Sequence, residues 1–117
     1  MAGMTFDVVA LCRREPGPEA VVAALLTAGE GSFVDFDADR RLTGVRHADG
    51  RALLTVEGAR LVRVPGEVDR LLGLDVPPPV WWVEGRAPEE DAEAEAVART
   101  FAAALAVATG GRAWSSR

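Results

Sequence analysis

Residues 88–111 constrain this chain more than any other stretch. Pro88 suits a first helical position, where a missing N–H costs nothing. Glu89, Glu90, Asp91, Glu93 and Glu95 load the start with negative charge, which complements the positive end of a helix. Val97, Phe101, Ala104, Leu105 and Ala108 follow at helical spacing, and Gly110-Gly111 supplies a stop. The spacing predicts a one-sided helix over 88–109, with Glu95 and Arg99 placed for an i, i+4 pair. Such a stripe needs an apolar surface to lie on. The rest of the chain offers short, β-rich runs that can build one.

Residues 6–12 are almost continuously apolar, the pattern of a central strand covered on both faces. Pro18 opens a helix whose stripe is Val21, Val22, Leu25 and Leu26, and Gly29 fits a left-handed stop. Residues 32–37 alternate, with Val34 and Phe36 on one face and Asp35 and Asp37 on the other. Runs 42–47 and 52–57 flank Asp49-Gly50, a type I′ hairpin signal. Gly58-Ala59 offers a second tight turn into 60–64, so these three runs read as a meander. Residues 65–73 read as one or two helical turns carrying Val68, Leu71 and Leu72. Pro77-Pro78-Pro79 is a stiff link. Residues 80–84 form the next strand, and 112–114 add a short one.

The order is β-α-β-β-β-short α-β-α, an α+β domain. The expected sheet has about five strands and is mixed, mainly antiparallel, with the first two strands parallel across their helix. Two main helices cover it, and one short helix is added. A single domain over 1–117 is expected, since no repeat or linker divides the chain. The longest apolar run, 101–108, is too short to span a bilayer, so no membrane insertion is expected. Residues 1–7 lack a basic segment before an apolar one, so the expected location is cytoplasmic.

Chemistry is harder to find. Lys, Ile, Asn, Gln and Tyr are absent and all 13 basic residues are Arg, the mark of a high-GC genome, which weakens any argument from Arg abundance. The net charge of −5 lacks the basic footprint of a nucleic-acid binder, so no nucleic-acid partner is expected. Asp35, Asp37 and Asp39 begin like a calcium loop, but Arg40 and Arg46 stand where Gly and a bidentate Glu belong. His47 is the sole histidine and Cys12 the sole cysteine. They exclude a His-based metal cluster or a disulfide within one chain, and leave one Cys–His dyad to consider. Cys12 falls in a strand read as buried, where a thiol is packing. Gly29-Glu30-Gly31 lacks the later Gly of a dinucleotide fingerprint and precedes a strand. No catalytic residue, cofactor or metal site is expected.

Trp81-Trp82 stands out. Successive strand residues point to opposite faces, so one indole fills the core. The other is either covered by a second helical layer or left open as an anchor beside Glu84 and Arg86. Trp81, Trp82, Glu84 and Arg86 are therefore the candidate protein-binding residues.

Residues 60–73 (RLVRVPGEVDRLLG), 79–84 (PVWWVE) and 109–114 (TGGRAW), with 5–11 at the start, resemble the N-terminal domain of an uncharacterised actinobacterial family encoded among type VII secretion genes. Its members are longer, so the resemblance implies one domain or a short version. It implies a cytoplasmic accessory role beside a secretion machine and carries no catalytic signature. The expected function is a non-enzymatic interaction or accessory module, acting on a protein partner or a second copy of itself. The alternative is an immunity protein that neutralises a toxin by direct binding, since an acidic face can mimic nucleic acid.

Overall fold

The computed structural model describes residues 5–37 and 42–117. Its centre is an antiparallel pair, β1 (Thr5–Cys12) and β6 (Val80–Pro88), with Thr5 opposite Pro88 and Cys12 opposite Trp81. β1 is buried on both faces along most of its length, as its apolar run requires. β7 (Arg112–Ser115) takes the other side of β1. Beyond β6 come β4 (Ala52–Val56), β3 (Leu42–Arg46) and β2 (Phe33–Asp37), giving the order β2-β3-β4-β6-β1-β7. β5 (Arg60–Val62) also pairs with β6. The α+β class and the mainly antiparallel sheet stand, with seven strands instead of five. Every described ladder is antiparallel. β1 and β2 do run in the same direction, but β6, β4 and β3 lie between them.

The meander breaks after its first hairpin. Between β3 and β4 the turn is wider than type I′. His47 N–H donates to Arg51 O (2.8 Å), and Gly50, at φ 94°, is the one residue of the turn with positive φ. β5 does not fold back on β4. It continues beside β6 further along, opposite residues 80–82, while β4 faces residues 85–86.

Helices α1 (Pro18–Ala28) and α3 (Ala92–Thr109) pack on each other and on one face of the sheet. Phe6, Val8, Ala10, Leu54, Val56, Val83 and Ala87 meet Leu25, Val97, Phe101 and Leu105 there. The expected α3 stripe holds at Val97, Phe101 and Leu105. Ala108 is exposed, and Ala94, Ala98, Ala102 and Ala106 complete the buried side. Small residues let the helix approach the sheet closely. Pro88 ends β6 instead of opening the helix, and Asp91 is the N-cap, its side chain accepting from Ala94 N–H. Glu95 pairs with Arg117 (2.6 Å), not with Arg99, whose guanidinium lies over the Phe6 ring. In α1 the stripe is also narrower than expected. Ala24 and Leu25 are buried, Val22 and Leu26 are not, and Gly29 closes the helix at φ −101°, outside the left-handed region.

Helix α2 (Glu67–Leu72) covers part of the opposite face. Val68 packs there with Val9, Leu11, Val62, Val80 and Trp82. No described helix covers the rest of that face, where Thr55, Arg86, Arg46 and Asp35 are exposed. Among the described residues no helix is long and apolar enough to cross a membrane.

Candidate protein-binding site on the second sheet face

Trp82, Glu84 and Arg86 lie at alternate positions of β6 and therefore share one face. Trp82 is 6% exposed, with Nε1 donating to Glu84 Oε1 at 3.3 Å. Glu84 Oε2 accepts from Arg86 Nε (3.0 Å) and Nη2 (2.7 Å). That contact, foremost, raises the Arg86 pKa and keeps its charge in place. Trp81 is not part of this group. It is half-buried on the helix-covered face, opposite Cys12 and Leu61. Of the two readings of the second indole the covered one holds: Trp82 is buried in a cluster with Val68, against which Leu72, Leu74, Val76 and Trp114 pack.

The step from β4 to β5 completes the site. Glu57 N–H still donates to Glu84 O at 3.0 Å, after which the chain leaves β6 and returns at Arg60 opposite Trp82. The step opens a cavity of about 180 Å³ lined by Glu57, Gly58, Arg60, Trp82, Glu84 and Arg86. The Arg60 guanidinium stands 5.1 Å from the centroid of the Trp82 ring, a cation–π placement. Arg86 Nη1 lies 3.8 Å from Glu57 Oε1. Two arginines and two glutamates leave the group neutral in sum. Among the described residues Arg60 makes no ion pair within 4 Å, although its charge helps to lower the Glu67 pKa after the larger effect of Arg70. Sequence reading missed Glu57 and Arg60, because their place depends on where β4 releases β6.

The same face continues to the β2 edge. Asp35 and Arg46 pair across β2 and β3 at 2.9 Å, and Phe33, on their side of the sheet, is 61% exposed. Alternation about Asp35 was the signal that could have found Phe33. The Asp35 carboxylate is thus occupied by Arg46, and residues 38–41 of the rejected calcium loop lie outside the described residues.

The Cys–His dyad is not assembled. Cys12 neighbours Thr109 at one end of α3, and His47 Nε2 is 3.6 Å from Glu93 Oε2 at the other. Sixteen helical residues separate those ends, about 24 Å. Burial pushes the Cys12 thiol up, against a smaller pull from Thr109, which disfavours the reactive thiolate. Among the described residues no three His, Cys, Asp or Glu side chains gather as metal ligands would.

Comparison with protein-family models, curated proteins and solved structures gives no match.

Proposed function

We propose that this protein is a non-enzymatic interaction module that binds a protein partner through the open half of its second sheet face. The observation that carries this reading is the notch beside β6. There the Arg60 guanidinium, stacked on a buried indole, meets a Glu57–Arg86–Glu84 charge group at the surface. Arginine is among the residues that most often anchor protein contacts. The partner segment this polar notch fits carries hydrogen-bonding groups, with a carboxylate for Arg60. The resemblance to the actinobacterial family adds a context for the proposal, an accessory role in type VII secretion within the cytoplasm.

The immunity-protein alternative draws on the net charge of −5. Its support is weaker, because the densest acidic segment is occupied. Asp91 and Glu93 bind Arg51, while Glu89 and Glu95 bind Arg117. Acids already engaged make a poor phosphate mimic.

Affinity capture from the native lysate, run in parallel with tagged wild-type and Arg86→Glu chains, tests the proposal. A protein retained by the wild type and lost from a folded Arg86→Glu supports it. Identical recovery by both chains counts against the sheet face.

A further inference from the structure

We infer that the cavity where β1 ends and β7 begins is a binding site for the phosphate group of a small molecule. Gly111 lets β7 start hard against the end of β1, because no Cβ stands between it and Leu11 O. Arg112 is then directly opposite Leu11 in the ladder, and Arg13 follows two residues beyond Leu11. Both arginines line a cavity of about 250 Å³, together with Asp75, Pro77 and the Gly110-Gly111 backbone. Arg14 stands beside Gly110 and closes the end of α3, its Nη2 donating to Ala108 O at 2.7 Å.

Charge selects the ligand. Among the described residues Arg46, Arg51, Arg70, Arg86 and Arg117 stand in ion pairs. Arg13, Arg14 and Arg112 make none within 4 Å there, in a chain with 18 acids to 13 arginines. Three guanidiniums around one glycine pair repel one another, and an anion among them removes that repulsion. Arg13 Nη1 donates to Pro77 O at 3.2 Å, which holds its guanidinium at the cavity and leaves its other N–H groups for a ligand. A donor fixed in advance loses little freedom on binding. One guanidinium fork fills the two oxygens of a carboxylate, whereas the three terminal oxygens of a phosphate ester accept from both arginines. Asp75 is the one acid on the wall, and it limits the site to a single anionic group. A nucleic-acid strand needs a basic track that a single cavity does not supply.

Amide chemical shifts of the isotope-labelled whole chain, titrated with inorganic phosphate, glycerol phosphate and glycerate, test this separately from the sheet-face reading. The expected result is a set of shifts centred on residues 11–14, 75–77 and 110–112, saturating for both phosphate compounds with Kd on the order of 1 mM or below. Glycerate should bind at least about fivefold more weakly, and added NaCl should weaken all three. Arg112→Gln and Arg13→Gln should each raise the glycerol phosphate Kd at least about fivefold at unchanged Tm. Asp75→Asn should lower it about threefold, since a like charge is removed. Arg63→Gln, exposed and outside the cavity, should leave it as in wild type. Should Arg13→Gln not fold, because Pro77 O loses its donor, Arg112→Gln decides alone. No shift with either phosphate compound up to about 20 mM overturns the inference. So does glycerate that binds as tightly as glycerol phosphate, or an Arg63→Gln that weakens binding as much as Arg112→Gln.

Discussion

Arg51, on the β3–β4 hairpin, donates to the Asp91 carboxylate that caps α3, forty residues away in sequence. The pair fastens the hairpin to the start of the longest helix. Arg51 Nη2 also reaches Glu93 at 2.9 Å and its Nε reaches Asp49 at 3.4 Å, so one guanidinium gathers three acids.

This pair predicts an acid-sensitive step in stability. The Arg51 hydrogen bond first, and the Ala94 N–H next, hold the Asp91 carboxyl below its ordinary 3.8. A carboxyl depressed in the folded state stabilises the fold above its unfolded pKa. That contribution is lost as pH falls through the folded value. Wild type should therefore exceed Asp91→Asn in stability at neutral pH, and the gap should close below pH 3.8. Urea midpoints of both chains between about pH 6 and pH 2 check this. A gap that stays constant with pH would refute the assignment.

Phe101 is fully enclosed between α3 and the sheet. Phe101→Ala should cost about 3–5 kcal/mol, the sum of lost transfer energy and a residual cavity. Chemical denaturation measures it. A loss under about 1 kcal/mol would mean that the helix does not rest on this ring.

The two indoles should behave differently from each other and from Arg86. Trp82→Ala empties the second core and should cost about 3–5 kcal/mol. Trp81→Ala, half-buried, should cost roughly 1–3 kcal/mol. Arg86→Glu should cost less than Trp82→Ala, roughly 1–2 kcal/mol, since Arg86 is about half exposed but the new carboxylate would face Glu84 and Glu57. Thermal and urea melts of the three variants give the ranking. Equal losses at Trp81 and Trp82 would contradict the one-sided closure by α2.

Gly111 sits where β7 leaves α3 against the end of β1. A Cβ there would stand 1.8 Å from Leu11 O, a clash with backbone that only a shift of the chain relieves. Gly111→Ala should lose more than about 2 kcal/mol. Gly17→Ala, with nothing within 4 Å of its Cβ, should stay within about 1 kcal/mol of wild type. A thermal melt of Gly111→Ala that matches wild type would show that β7 detaches freely.

Much of the local structure was legible in the chain. The apolar run of β1, the Val97–Phe101–Leu105 stripe and the stop at Gly110 are short-range signals, and Gly110 takes the left-handed conformation that suits such a stop, whereas Gly29 does not. The opposite placement of Trp81 and Trp82 follows from the strand period alone. Pro88 misled because the same residue suits a strand end and a helix start, and the cap at Asp91 decides between them only once Ala94 N–H has found it.

What the sequence determined by itself, then, is the kind of most elements and, for β1, β6 and α3, which residues share a face, since both depend on neighbours one to four residues apart. Tertiary structure alone decided which strands meet. A period of two carries no information on partner or register, so the passage of both β4 and β5 along β6 could not be read. From that passage come the gap beside Glu84 and the meeting of Glu57 and Arg60 with Trp82. The same long-range closure chose the side of α1 that is buried. Its Val21–Val22–Leu25–Leu26 pattern is apolar on both flanks, and contact with α3 and the sheet took Leu25 inward and left Leu26 in water.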